Sequence, residues 1–319
     1  MRVRPHHRAG LLVGDDTSCS IQIEEEGPGG LISFNTLGGY SIPSKRGPVE
    51  DAGMRIYTHN LFARREGWEQ RRALLRAGIA EMRPDVVLFQ EEVRRDGYDQ
   101  TADLVGDGFH IAHSSARSAR EGSGISIASR WPIVAVRELD LTAGGRPVDE
   151  YEWATLIATI QAPEPLGRIV VANHFPDAAV DGEAERERQA VLAAEALRAD
   201  ATRHPVIIAG DFDAEPDAGS LRFLTGRQSL AGQSVAAVRA WDAVHPGRPC
   251  VTLDPDNPLV AAHLPGWPFR EIDHILVWCG PGGLPSLQVD ACERVVLHDG
   301  DTWASDHHGL RADLSMPGR

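Results

Sequence analysis

The sequence predicts an α/β (α+β) fold in which two packed mixed sheets are flanked by helices, a four-layer α/β/β/α sandwich. Strand-like apolar runs far outnumber helical stretches, which favours two sheets packed face to face over one parallel sheet. The 319 residues, 42% of them hydrophobic, are enough to bury the core of one large domain. Polar residues follow several core strands, where an α/β scaffold holds side chains rigidly around a ligand.

The elements can be followed along the chain from Met54, where the first strongly patterned segment begins. A strand is predicted at 55–62, and a helix with one apolar stripe at 68–82, which ends before Pro84. A buried strand follows at 85–90. Further strands are predicted at 110–113, 124–128, 133–139, 153–160, 168–174, 205–209, 272–278 and 289–297, and further helices at 183–199 and 217–224.

Residues 1–53 differ in character from the rest of the chain. The acidic run at 24–26, the Gly-Pro-Gly-Gly of 27–30 and the glycine pair at 38–39 break any periodicity. We therefore predict an N-terminal extension of unknown role over 1–53, with a short strand or two at most, and a main domain over 54–316. No apolar run is long enough for a signal peptide or a membrane span, so we expect a cytoplasmic protein, which we take to be a monomer.

The charge of the chain bears on its partners. Acidic residues outnumber basic ones and give a net charge of −14, whereas a protein held to DNA by phosphate contacts usually has a basic face. This disfavours nucleic acid as a partner without excluding it, because a bound metal and a few arginines can make a positive cleft in an acidic protein. The four cysteines are too widely spaced for a zinc knuckle or a thioredoxin-like motif.

Candidate functional residues come from the polar positions near strand ends. They are Asn60, Glu91, Asn173 with His174, Asp211 with Asp213, Asp273, and Asp306 with His307. Each one alone has a structural explanation, such as a helix cap, a solvated loop residue or, for Asp273, an ion pair with Arg270. In combination and in this order they predict one shared site.

In their order and in their residues, these motifs resemble those of the endonuclease/exonuclease/phosphatase superfamily. Its members include deoxyribonucleases, abasic-site endonucleases, sphingomyelinases and inositol polyphosphate 5-phosphatases. The resemblance covers about residues 54–314. Its marks are Asn60, Gln90-Glu91, His174, Gly210-Asp211-Phe212, Ile272-Asp273-His274 and Ser305-Asp306-His307. It implies that 54–316 is a catalytic domain that hydrolyses phosphoesters with a divalent metal ion.

The resemblance implies a Mg²⁺ site of one or two ions, with Mn²⁺ or Ca²⁺ as alternatives. Glu91 and Asp306 would be the carboxylate ligands, and Asn60 would add a neutral oxygen. The position of Asp211 would orient or deprotonate the attacking water.

Further roles are implied around the phosphate. Asp273 would hold the imidazole of His307 protonated and aimed at the phosphate. His174 would lie on the other side, where it would stabilise the pentavalent state or protonate the leaving group. Arg120 and Asn173 are assigned as substrate-binding residues.

One departure from the family pattern is Asp213. Relatives usually have Asn two residues after the Gly-Asp aspartate, as a neutral amide that contacts the phosphate or the water. We assign Asp213 to the catalytic set, but a second carboxylate would repel the substrate unless it is protonated or attracts another cation. This favours a site with two metal ions.

Other reaction classes lack their motifs in this chain. A calcium loop beginning at Asp211 fails, because Pro216 stands where the EF-hand needs Gly and Arg222 where it needs Glu. There is no P-loop and no Gly-x-Ser-x-Gly elbow. The Gly-Asn-His-Asp motif of calcineurin-like metallophosphatases is also missing.

The sequence leaves the substrate open. A small or lipid-like phosphoester fits the acidic net charge. A DNA or RNA endonuclease would need a local basic rim, for which the candidates are Arg64, Arg65, Arg117 and Arg120. A non-catalytic binding protein on the same fold is favoured only by Asp213.

Overall fold

The computed structural model describes residues 22–23, 31–35, 53–142 and 153–318. Its strands are β1 (Gln22–Ile23), β2 (Leu31–Asn35), β3 (Gly53–Asn60), β4 (Val86–Arg95), β5 (Tyr98–Asp99), β6 (His110–His113), β7 (Ser123–Ser129), β8 (Ile133–Asp140), β9 (Ala154–Gln161), β10 (Arg168–Phe175), β11 (Val206–Asp211), β12 (Ala237–Arg239), β13 (Asp273–Trp278), β14 (Gln288–Asp299), β15 (Thr302–Trp303) and β16 (Gly309–Ser315). Its helices are α1 (Trp68–Met82), α2 (Gln100–Val105), α3 (Glu183–Ala201), α4 (Gly219–Leu224), α5 (Ala240–Val244) and α6 (Pro258–His263).

Two mixed sheets form the framework of the described part. The larger sheet has the strand order β1-β2-β14-β16-β3-β4-β7-β6, with β15 paired to β14 and β5 to β4. The smaller sheet has the order β12-β13-β11-β10-β9-β8. Most neighbouring strands are antiparallel, but β3 runs parallel to β4, β10 to β11, and β2 to β14. Two sheets with helices outside them confirm the predicted sandwich.

The alternation of side chains along the central strands explains the layers. Ile56 and Leu88 of the larger sheet and Ile207 of the smaller sheet belong to the core between the sheets. The adjacent residues point to the outer faces, where Val87 packs with the apolar residues of α1 and Ile208 with those of α3. Because these strands are buried on both faces, they are continuous apolar runs in the sequence.

The long elements lie where the sequence predicts them, and several of the short ones were missed. The helix predicted at 68–82 is α1, and the helix predicted at 183–199 is α3, which extends to Ala201. The helix predicted at 217–224 contains α4, whereas α2, α5 and α6 were not predicted, because five or six residues seldom show a helical period.

The strand directions bring the ends of several strands to one edge of the sandwich. Asn60 is the last residue of β3, and Asp211 is the last residue of β11. The antiparallel partner of β11 is β13, whose first residue, Asp273, pairs with Asp211. The antiparallel partner of β3 is β16, so the 305–308 segment just before β16 lies at the same edge.

The predicted extension over 1–53 lies mostly outside the described residues. Of it, β2 pairs in parallel with β14 at the side of the larger sheet, and β1 pairs with β2. In the described ranges no helix is both long and apolar enough to cross a membrane.

Candidate active site

Asn60 joins the two sheets at the edge where the predicted residues meet. Its side-chain Nδ2 donates to Asp211 Oδ2 (3.0 Å) and to Glu91 Oε1 (3.3 Å). Its Oδ1 accepts a hydrogen bond from the Phe62 N–H (3.0 Å). As placed, the amide bridges two carboxylates as a donor, and the metal-ligand role of its oxygen stays a prediction.

Glu91 carries a carboxylate oxygen that is short of partners. It sits at a register shift of β4 with a left-handed φ of 52°, which turns the side chain out of the regular ladder. Its Oε2 is buried and has no hydrogen-bond partner. Burial, and then the nearby charge of Asp306, raise the pKa of Glu91 to about 7. Two close carboxylates with an unsatisfied oxygen form a donor set that suits a hard divalent cation.

His307 lies between two aspartates. Its Nδ1–H donates to Asp273 Oδ2 (2.9 Å), and its Nε2 is 3.9 Å from Asp211 Oδ2. Burial opposes the charged imidazolium, but the charges of Asp273 and Asp211 outweigh it and raise the pKa of His307 well above its ordinary value. The imidazole is therefore held as a cation, and its Nε2–H faces Asp211.

His174 is buried on the neighbouring strand, with its ring 5.0 Å from that of Phe212. Burial lowers the pKa of His174 to about 3, so the ring is neutral at physiological pH. Its Nδ1 is 2.8 Å from the hydroxyl oxygen of Thr155. If the hydroxyl donates to Nδ1, then Nε2 carries the proton and is the hydrogen-bond donor of the ring.

Asp213 has a cationic neighbour that the sequence interpretation did not assign to it. Arg270 Nη1 lies 3.6 Å from Asp213 Oδ1, and Arg270 Nη2 donates to the Asp213 carbonyl oxygen (3.0 Å). Arg270 was considered as a partner of Asp273, whose carboxylate instead accepts from His307. A fixed guanidinium therefore stands where a second metal ion was expected to offset the charge.

The two predicted substrate-binding residues have different surroundings. Asn173 is fully buried between the sheets, where Nδ2 donates to the carbonyls of Phe89 (2.9 Å) and Ser126 (2.8 Å) and Oδ1 accepts from Gln90 (2.8 Å). These bonds use its polar atoms to join the sheets, which does not support a substrate contact. Arg120 lies in the exposed loop between β6 and β7, and its substrate role stays a prediction.

Comparison with known proteins decides the family. The model of the endonuclease/exonuclease/phosphatase family matches residues 32–307, which is most of the chain. The chain belongs to the endonuclease/exonuclease/phosphatase family. No curated protein sequence matches it.

Solved structures of the endonuclease/exonuclease/phosphatase type share its fold at low identity. Humanized D. rerio TDP2 is 15% identical with a TM-score of 0.65, over 83% of this chain and 99% of that one. The human Nocturnin catalytic domain with bound sulfate is 19% identical with a TM-score of 0.63, over 84% and 94%. ANGEL2, described as a 2′,3′-cyclic phosphatase, is 17% identical with a TM-score of 0.62, over 82% and 95%. At these identities the likeness establishes the fold alone.

In this family member a buried arginine holds together the 61–66 loop, which follows Asn60, and Ala304, which precedes Ser305 and Asp306. Arg71 of α1 is 1% exposed, and its guanidinium donates to several backbone carbonyls of the 61–66 loop and to that of Ala304 (3.1 Å). Burial lowers the pKa of Arg71 to about 10, so it stays charged at neutral pH. The sequence interpretation missed this residue, although its position four residues after Gly67 in a helical stripe of otherwise apolar residues was a signal.

Other polar residues fix the 305–308 segment and the start of β13. Ser305 Oγ donates to the Asn60 carbonyl (2.7 Å), which ties this segment to β3. Asn257 Nδ2 donates to the Ser305 carbonyl (2.8 Å). Thr252 Oγ1 accepts from the Asp273 N–H (3.1 Å). Ser305 was noted only as part of the Ser-Asp-His motif, and Asn257 and Thr252 were not predicted, because they act through contacts with residues distant in sequence.

A second group of possible metal ligands includes Glu92, the residue after Glu91 in β4. Glu92, Asp99 and His113 have side-chain ligand atoms close to one another. His113 Nδ1 is 3.1 Å from Glu92 and Nε2 is 2.9 Å from Asp99, and Arg117 forms an ion pair with Glu92. Because a guanidinium already shares this Glu92 oxygen, the group is a network of ion pairs that supports the part of β4 that carries Glu91.

Proposed function

We propose that the protein is a divalent-metal-dependent phosphoester hydrolase that uses Mg²⁺ and acts on a small or lipid-like phosphoester. The observation that carries the proposal is the buried, unpartnered Oε2 of Glu91. It lies beside Asp306 and at the same edge as the His307–Asp273 pair and Asp211.

The donor set fits a hard cation. Glu91 and Asp306 supply carboxylate oxygens, the ligand type that Mg²⁺ takes in proteins while keeping several waters. Their mutual repulsion and burial favour binding of a positive ion. When bound, the ion supplies a positive charge that polarises a phosphoryl oxygen and offsets negative charge in the transition state. One ion is sufficient here, because Arg270 already stands beside Asp213.

The residues around that position divide the remaining tasks. Asp211 has a carboxylate oxygen close to His307 and accepts a proton from the attacking water. His307, kept cationic by Asp273, donates a hydrogen bond to a phosphoryl oxygen. His174 is neutral, so it stabilises developing charge as a hydrogen-bond donor and does not act as a strong acid.

The surroundings of the predicted basic rim favour a small substrate. Arg117 pairs with the buried Glu92, and Arg65 pairs with Glu121 (3.4 Å). Each of these cations therefore has an acidic neighbour, whereas a nucleic-acid surface presents an excess of positive charge.

A nuclease is the second candidate, because an open groove lies beside Val93 and Arg95 at the end of β4, the strand that carries Glu91. Its cavity volume is about 670 Å³, and its walls include Trp68 and Arg95. Arg64 lies over the ring of Tyr98 at 4.1 Å, an arrangement that can extend to a stacked base.

The test is Mg²⁺-dependent hydrolysis of three substrates: bis-p-nitrophenyl phosphate, p-nitrophenyl phosphate and supercoiled plasmid. Wild type is compared with Asp211→Ala and with Asp107→Ala, a matched change at an exposed site. Cleavage of the small esters alone, lost only in Asp211→Ala, supports the proposal. Plasmid nicking lost in the same variant identifies a nuclease. No hydrolysis of any substrate rejects the enzyme and favours a binding protein.

A further inference from the structure

Asp213 is a carboxylate placed inside the active site. It is 7% exposed, and its backbone N–H donates to Asp211 Oδ1 (3.1 Å). It adopts a left-handed φ of 48°, which non-glycine residues seldom do unless the surroundings impose it. Burial, and then the charge of Asp211, raise the pKa of Asp213 well above its ordinary value. The charge of Arg270 acts in the opposite direction and favours the ionised carboxylate.

Arg270 supplies this positive charge from the segment just before β13, the strand paired with β11. Its side chain is 13% exposed, and its guanidinium lies 5.3 Å from the ring centre of Trp267. Its Nε is 3.5 Å from Glu215, and Nη2 donates to the backbone of Asp213. Its Nη1 is buried without a hydrogen-bond partner and lies 3.6 Å from Asp213 Oδ1. A small movement of either side chain would complete that bond.

The charge balance decides whether an anion can bind beside Asp211. A negative charge at about 6 Å from a phosphate, in a site of effective dielectric constant near 20, weakens phosphate binding by about 100-fold. A guanidinium in contact with that carboxylate removes most of this penalty. Because Arg270 is held by a backbone contact and an aromatic ring, its charge does not need to be ordered when substrate binds.

We propose that Arg270 is a positioning residue of the hydrolase: it offsets the charge of Asp213 and orients that carboxylate, so that an anionic phosphoester can bind at Asp211. This inference rests on the proposed function. A purely structural role, in which Arg270 only fastens its loop to the Asp213 backbone, makes a different prediction for the double variant.

The test is a double-mutant cycle of Arg270→Gln, Asp213→Asn and both together. KM and kcat are measured for bis-p-nitrophenyl phosphate, and the dissociation constant of inorganic phosphate is measured by calorimetry, both in Mg²⁺. Arg270→Gln should raise KM and the phosphate dissociation constant by about 100-fold, and adding Asp213→Asn should bring both back to within about 3-fold of wild type, because the double variant has no uncompensated charge at this position. Arg203→Gln, the same change at an exposed site, is the control, and Arg270→Lys should retain most of the phosphate affinity.

The inference is overturned if Asp213→Asn does not restore the phosphate affinity lost in Arg270→Gln, because a backbone fastening does not depend on the Asp213 charge. If Arg270→Gln does not fold, a folded double variant supports the charge pairing, and an unfolded one rejects it. If wild type hydrolyses nothing, the phosphate-binding cycle still decides the role of Arg270, so the hydrolase proposal can fail separately.

Discussion

Replacing Glu91 by Gln should stabilise the protein when no metal is bound. In the folded state the pKa of Glu91 is raised from 4.5 to about 7 by burial and by Asp306. The folded protein thus binds this proton more tightly than the unfolded chain does. The stabilisation is fully present below pH 4.5 and is lost as the pH rises through about 7, at a cost of about 3 kcal/mol.

Glu91→Gln is uncharged at every pH and does not carry this cost. In EDTA at pH 8 it should therefore unfold at a temperature about 5–10 °C above wild type, a difference that shrinks to near zero at pH 4.5. With Mg²⁺ the order should reverse, because the wild-type carboxylate gains the free energy of metal binding.

The measurement is thermal unfolding from pH 4.5 to 8, in EDTA and in Mg²⁺. Glu69→Gln, a change at an exposed glutamate of α1, is the control and should follow wild type under all conditions. If Glu91→Gln is no more stable than wild type at pH 8 in EDTA, the electrostatic argument for a metal at Glu91 is wrong.

Three other changes test the neighbouring groups. Asp273→Asn should lower kcat by about 100- to 1000-fold and move the loss of activity at high pH to a lower pH, because the pKa of His307 is no longer raised by that carboxylate. A pH–rate profile measures both effects, and an unshifted profile would contradict the pairing of His307 with Asp273. His174→Ala should lower kcat by about 100-fold without changing the fall of activity at low pH in the pH–rate profile, because burial lowers the pKa of His174 to about 3. If that fall at low pH disappears in the variant, His174 titrates in the working range. Arg71→Met should lower the free energy of unfolding in urea by about 3 kcal/mol or more and weaken Mg²⁺ binding in calorimetry, because the backbone carbonyls around Arg71 lose their donor. An unchanged Mg²⁺ affinity would limit Arg71 to a structural role.

The paired rim arginines bear on how the acidic net charge should be interpreted. A net charge of −14 leaves open whether the arginines gather at one cleft. Arg65 and Arg117 do lie near Glu91, as a nuclease would require, but each is matched by an acidic side chain. Position alone therefore does not create a positive surface, and the partners of each cation must be known.

The sequence by itself determined the fold and the set of candidate site residues. The central strands are buried on both faces, so their apolar runs are visible locally, and Asn60, Glu91 and Asp211 stand where those runs end. The long helix α1 was equally visible, because its apolar stripe repeats over 15 residues.

Only the tertiary structure decided which of the charged and amide side chains are paired with one another. Arg71 reaches Ala304 across 233 positions, and Arg270 reaches Asp213 across 57, so neither contact leaves a pattern in any short window. Asn173 stands beside His174 in a motif, yet its bonds to Phe89, Ser126 and Gln90 join the sheets. A side chain's chemical type is local, whereas its hydrogen-bond partners and the charges around it exist only after the chain has folded.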